Sequence, residues 1–102
     1  MSNLLTKKQL SKILDLYTHK NVLDSICHIK LFLPDSNWTW YIIELSQSDK
    51  STCFGYVIGH ETELGYFSLD ELEEIHGPVG LPVECDTSFT PTLLSEVKRD
   101  IK

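Results

Sequence analysis

Leu10, Ile13, Leu14 and Tyr17 recur at i, i+3, i+4 and i+7, while Lys7, Lys8, Lys12 and Asp15 fall away from that stripe. The spacing predicts an amphipathic helix over residues 6–19 whose stripe faces the core. Thr6 followed by Gln9 supplies a capping box at its start. After a polar break at His19-Lys20-Asn21 the period becomes extended. Residues 29–33 predict a first strand. Pro34-Asp35-Ser36-Asn37 predicts a turn, because proline presets φ and Asp and Asn hydrogen-bond their own backbone. Trp38-Thr39-Trp40-Tyr41-Ile42-Ile43-Glu44-Leu45 is aromatic and β-branched, and predicts a second strand antiparallel to the first. A polar loop over 47–52 leads to a third strand over 53–59. There Phe54, Tyr56 and Ile58 share one face, and Cys53, Gly55, Val57 and Gly59 the other. The small residues leave room on that second face for a helix or a large side chain from elsewhere.

His60-Glu61-Thr62 predicts a turn into a short strand over 64–67, and then a helix over 69–76. Ser68 and Glu71 form a capping box, and Asp70 and Glu71 complement the positive end of the helix dipole. Gly77, in the left-handed conformation, and Pro78 are expected to stop that helix. Leu69, Leu72 and Ile75 form its apolar stripe, with Asp70, Glu71, Glu73 and Glu74 facing water. Residues 82–85 predict a last short strand. Thr90-Pro91 resembles an N-cap and first helical position. Leu93 or Leu94, Val97 and Ile101 then complete an amphipathic terminal helix. The sum is a single α+β domain over residues 1–102: an antiparallel sheet of three to five strands packed with an N-terminal helix, a short capped helix after the third or fourth strand, and a C-terminal helix.

Composition narrows the function classes. The formal net charge is −6, and the basic residues collect near the ends as Lys7, Lys8, Lys12, Lys98, Arg99 and Lys102. That distribution argues against broad binding to a phosphate backbone, which needs a clustered basic face. No apolar run reaches the roughly 20 residues of a membrane span, and the N-terminus lacks a signal-peptide core, so the chain is expected to be cytoplasmic. Cys27, Cys53 and Cys85, odd in number and scattered, suit reduced core thiols better than a disulfide framework.

No catalytic constellation emerges. His60-Glu61-x-Glu63 offers metal-binding residue types, but it lacks the second histidine of the zincin helix and lies in a turn. Cys27 and His28 are adjacent, so in a strand they point to opposite faces. Gly55, Gly59 and Gly65 are too widely spaced for a phosphate loop. Glu84 and Asp86, with Glu63, are candidate cation ligands, against the simpler reading of exposed carboxylates. Trp38, Trp40, Phe54 and Tyr56 could stack single-stranded bases. Core and cross-strand packing accounts for these rings more simply.

The combination Lys30-Leu31-Phe32, Trp40 with Glu44, Phe54-Gly55, Glu63-Leu64-Gly65-Tyr66-Phe67-Ser68-Leu69, Glu71-Leu72, Gly77-Pro78, Gly80-Leu81-Pro82-Val83-Glu84, Asp86, Phe89 with Pro91, and Leu94-Ser95-Glu96 spans most of the chain. It resembles a bacterial, plasmid- and phage-associated family known only as a conserved domain of unknown function. Cys85 stands where the family pattern calls for a basic residue. The resemblance implies a place among mobile-element genes and supplies no active site to carry over.

The leading expectation is a small acidic, non-enzymatic interaction module that binds a protein partner, in mobile-element maintenance or in countering host defence. Its expected surface comprises Glu61, Glu63, Asp70, Glu73, Glu74, Glu84 and Asp86, with no cofactor. A second reading, from another class, is a nucleic-acid-binding accessory factor using Trp38, Trp40, Lys98 and Arg99. A third is a small metal-dependent hydrolase around His60, Glu63, Glu84 and Asp86. An unpaired strand edge or the Leu10–Tyr17 stripe leaves room for a dimer.

Overall fold

The long aromatic and β-branched run of the sequence becomes the middle strand of a five-stranded antiparallel sheet. A computed structural model describes residues 25–100 together with Leu5 and Ile13. In chain order the elements are β1 (Ile26–Cys27), β2 (Ile29–Phe32), β3 (Thr39–Leu45), β4 (Thr52–Ile58), β5 (Thr62–Ser68), α1 (Leu69–Glu73), β6 (Glu84–Cys85), β7 (Thr92–Leu93) and α2 (Leu94–Asp100). The large sheet has the order β5-β4-β3-β2-β6, and β1 pairs with β7 in a separate ribbon.

Both faces of the sheet carry a hydrophobic cluster, which is why six consecutive residues of β3 are buried, from Trp40 to Leu45. On one face Leu31, Leu33, Trp40, Ile42, Leu45 and Cys53 meet Leu69 and Leu72 of α1, Val83, and Leu5 and Ile13 from the N-terminal segment. On the other, Tyr41, Ile43 and Tyr56 meet Cys27 and the Leu94 and Val97 pair of α2. We call these the first and second faces. A register shift between Ile42 and Glu44 marks a bulge in β3. The extra residue, Ile43, resets the alternation so that Leu45 returns to the first face opposite Cys53.

The small-residue face of β4 is used as its sequence predicts. The Trp38 ring lies over Gly59, and the Tyr41 carbonyl and Phe67 ring close on Gly55. Ser68 caps α1, its Oγ accepting from the Glu71 N–H at 3.4 Å. A residue with no local signal completes the cap. Buried Ser51 accepts from the Asp70 N–H through its hydroxyl (3.1 Å) and from the Leu69 N–H through its carbonyl (2.9 Å).

Several expectations are corrected. The helix closes at Glu74, not at Gly77, and Ile75, placed on its apolar stripe, is exposed. Gly77 is not the left-handed stop: among glycines only Gly80 has positive φ, at 88°. Thr90-Pro91 does not cap the last helix. The chain first adds β7 to β1, pairing Leu93 with Ile26 and Thr92 with Cys27, and α2 begins at Leu94. Leu94, rather than Leu93, is the buried choice. The predicted helix over 6–19 lies outside the described residues, apart from buried Ile13, and Ile101 also lies outside them. Among the described residues no helix is long and apolar enough to cross a membrane.

The β3–β4 turn stores acid sensitivity. Asp49 accepts from the Thr52 N–H (2.9 Å), the Ser51 N–H (2.8 Å) and the Thr52 hydroxyl (2.7 Å). These donors favour the carboxylate and lower its pKa from 3.8 to about 2, the Thr52 backbone bond contributing most. A group depressed in the folded state stabilises above its unfolded pKa, near 3.9, and loses that contribution as pH falls through its folded value. Asp49→Asn is therefore expected to lower the melting temperature at neutral pH. The gap to the parent chain should narrow below about pH 4 and close near pH 2, read from thermal melts across that range.

Candidate interaction site

Trp38 enters the site because it immediately precedes β3 and lies against Gly59, just past the end of β4, which presents no side chain. Its ring stacks on Trp40 with centroids 5.9 Å apart and planes 24° from parallel. The His60 imidazole meets it edge-on at 5.5 Å and 83°. Trp40 itself is buried at 4% exposure, whereas Trp38 is half-buried. The indole pair thus forms a wall with one open member.

The opposite wall comes from the crossover. After α1 the chain must travel from the β5 edge to the β6 edge, and residues 74–83 cross the first face of the sheet to do so. The crossover does not fill the space above the indoles. A cleft of about 420 Å³ remains, lined by Leu33, Ser36, Trp38, Trp40, Ile75, His76, Gly77 and Pro78. The expectation that the chain's own interior consumes the aromatic rings holds for Trp40, Tyr41 and Tyr56, and is corrected for Trp38, which opens onto this cleft.

The crossover is fixed by a contact 44 residues away in sequence. Asp35, in the β2–β3 turn, accepts from the Val79 N–H at 2.8 Å. Its other oxygen, Oδ1, is buried without a hydrogen-bond partner and lies where a Gly77 side chain would be. Gly77 donates to the Leu81 carbonyl and accepts from the Gly80 N–H, both at 2.9 Å, closing the loop tip. This tip exposes Val79 (74%), Leu81 (43%) and Ile75 (37%) beside the cleft. Exposed Glu61 follows His60 in sequence, and exposed Glu74 stands two residues before His76, whose ring contacts the Glu74 carbonyl at 3.2 Å. The result is an apolar hollow with an apolar lip and neighbouring carboxylates.

A second, more polar cleft of about 470 Å³ lies by the second face, lined by Lys30, Tyr41, Asp86, Ser88, Phe89, Thr90, Thr92 and Val97. Ser88 donates its hydroxyl (2.7 Å) and N–H (3.0 Å) to Asp86 Oδ1, and the Lys30 ammonium stands 3.8 Å from Oδ2. The Ser88 bonds, more than Lys30, hold the Asp86 carboxyl below its ordinary pKa.

The residues singled out from sequence are dispersed. Glu61 and Glu63 lie at the β5 edge and Asp70, Glu73 and Glu74 in and just after α1, while Glu84 and Asp86 lie at the β6 edge. Four strand spacings, roughly 19 Å, separate the β5 edge of Glu61 and Glu63 from the β6 edge of Glu84 and Asp86. His60 and Glu63 are likewise remote from Glu84 and Asp86, and among the described residues no three His, Cys, Asp or Glu side chains gather to hold a metal. Trp38 and Trp40 pack on the first face, while the Lys98 ammonium sits 5.5 Å above the Tyr56 ring on the second and Arg99 pairs with Glu96 at 3.8 Å. Cys27 and Cys53 are fully buried. Desolvation, with a smaller push from Asp49, raises the Cys53 thiol to about 12, so it is inert as a nucleophile. What sequence reasoning missed is Ile75, His76 and Pro78 as cleft walls. The one available signal was an apolar run, Ile75 to Leu81, too rich in Gly and Pro to be a strand.

A family model described as a protein of unknown function (DUF2958) matches residues 4–98. No curated protein and no solved structure matches the chain.

Proposed function

For a chain that belongs to the DUF2958 family, we propose a non-enzymatic role: a small interaction module that seats an apolar side chain of a protein partner in the Trp38–Trp40 cleft. One observation carries this reading. An accessible apolar hollow with an indole wall lies beside a projecting apolar lip of Val79 and Leu81. Buried aromatic anchors in pockets supply most binding energy at protein interfaces, and exposed apolar surface gathered at one place marks such sites. Net charge of −6, with exposed Glu61 following His60 and exposed Glu74 two residues before His76, selects a partner segment in which lysine or arginine flanks the anchor. The mobile-element association implied by the family resemblance suits a module of this kind acting on a host protein.

The chain's two tryptophans both line the cleft, so their fluorescence reports its occupancy. Panning a displayed random-peptide library against the full chain is expected to enrich peptides with one aromatic or large aliphatic residue among basic ones. Their binding shifts tryptophan emission and is lost in Val79→Asp with Leu81→Asp, two exposed positions whose change spares the core. Enriched peptides that bind the double variant equally well, with no emission change, would contradict the proposal.

A further inference from the structure

The polar cleft by the second face takes no part in the docking described above. The chain between β6 and β7 builds it. Phe89 folds back onto Tyr41 with the rings 5.6 Å apart, and these two with Val97 of α2 make one side of the cleft apolar. Lys30 reaches the same cleft because it stands opposite Tyr41 in the β2–β3 ladder, and Asp86 because it directly follows β6. The Asp86 N–H donates to the Lys30 carbonyl at 2.9 Å, which ties the two residues together through the backbone.

Their charges meet without closing on each other. Lys30 Nζ and Asp86 Oδ2 are 3.8 Å apart, about 1 Å longer than a charge-assisted hydrogen bond. Ser88 holds the carboxylate in place through Oδ1, donating its hydroxyl at 2.7 Å and its N–H at 3.0 Å. The same bonds favour the ionised form, so Asp86 is a carboxylate at neutral pH. Among the described residues Oδ2 receives no hydrogen bond and Lys30 Nζ gives none. Both side chains are largely buried, at 31% and 28% exposure. An ion pair withdrawn from water, with bonding capacity unspent, therefore faces a cavity of about 470 Å³.

Charge decides what fills it. A simple anion drawn to Lys30 meets Asp86 at close range, and a simple cation drawn to Asp86 meets Lys30, so each gains little. The interior of a peptide carries neither charge, and its termini lie at opposite ends. An α-amino acid holds an ammonium and a carboxylate on one carbon. Set against this pair, with its carboxylate on Lys30 and its ammonium on Asp86 Oδ2, it completes a ring of four alternating charges. We propose that this cleft binds a free α-amino acid whose aromatic or large aliphatic side chain lies along Tyr41 and Phe89.

Isothermal titration of the full chain with L-phenylalanine is expected to show saturable binding. Phenylpropionate, which lacks the ammonium, and phenethylamine, which lacks the carboxylate, should each bind weaker by roughly tenfold or more, because each leaves one charge unmet. Tryptophan emission should not change, since both indoles line the other cleft. Two substitutions should reverse the preference in opposite directions. Lys30→Met leaves Asp86 alone and should favour phenethylamine over phenylalanine. Asp86→Asn keeps an acceptor for Ser88 and should favour phenylpropionate. A general loss of fold does not produce opposite preferences. A parent chain that binds neither phenylalanine nor leucine through the millimolar range overturns the inference. So does a single-charge analogue that binds the parent as tightly as phenylalanine, or a pair of variants that keep the parent's preference. Binding that shifts tryptophan emission places the ligand in the indole cleft and overturns it equally.

Discussion

Gly55→Ala is expected to destabilise the fold by about 3 kcal/mol, the upper range for overpacking a filled interior, while Gly65→Ala, directly across the ladder, should cost nothing or stabilise slightly. Gly55 and Gly65 are register partners, share a face and belong to adjacent strands. What differs is the space above them. A Cβ on Gly55 would fall 1.9 Å from the Tyr41 carbonyl oxygen and 3.1 Å from the Phe67 ring. The first of these is backbone in the central strand, next to the Ile42–Glu44 irregularity, and cannot turn aside as a side chain can. The bulge itself would have to shift, and with it the registration of Leu45 in the core. At Gly65 the same atom meets nothing, and loss of glycine's unfolded-state freedom contributes roughly 0.4–1 kcal/mol in favour of the folded chain. Urea unfolding of both variants, read by circular dichroism, checks the contrast. Equal midpoints for the two would mean that the Tyr41 carbonyl does not lie where the bulge places it.

Gly77→Ala is expected to cost about 2 kcal/mol, the scale of a displaced buried polar group and its lost bond, and most of that cost should vanish when Asp35 is alanine. A Cβ on Gly77 would lie 1.4 Å from Asp35 Oδ1. The carboxylate must then swing out, releasing the Val79 N–H it accepts from at 2.8 Å. Because the obstacle is the end of a side chain, the clash is relieved by a rotation, at the expense of the loop's anchor. Removing Asp35 first eliminates both the obstacle and the anchor. The two substitutions should therefore be strongly non-additive, as expected for groups in contact. Four unfolding curves, for the parent, each single variant and the double, give the coupling directly. Additive costs would show that Gly77 is required for its backbone conformation and not for Asp35.

How far the sequence specified this molecule depends on whether each feature is local or tertiary in origin. The strands over 39–45 and 52–58 were legible because aromatic and β-branched residues fit a pleated, buried surface, and the α1 start was legible because its Ser68 cap is a contact three residues long. The α1 stop was misread because Gly77 resembles a helix terminator but serves Asp35, a partner that no local rule reveals. Thr90-Pro91 misled for the same reason: the pairing of β7 with Ile26 and Cys27 spans more than sixty positions and overrides a helix-start signal. Trp38 looked like core because aromatic rings usually are. Its exposure follows from the path of residues 74–83 across the sheet, which the sequence does not print. The acidic residues read as one surface along the chain are divided by the strand order, Glu61 and Glu63 falling at the β5 edge and Glu84 and Asp86 at the β6 edge.

The claim that the Trp38–Trp40 cleft is the docking site is tested most directly by a nitrogen-15 NMR titration of the full chain with an enriched basic, aromatic peptide. The account predicts that the Trp38 indole N–H and the backbone N–H groups of His76, Gly77 and Val79 move together and saturate, while those of β6 and α2 stay still. Shifts confined to the polar cleft of Lys30 and Asp86, or to β5, with both indole resonances unmoved at saturation, would contradict it.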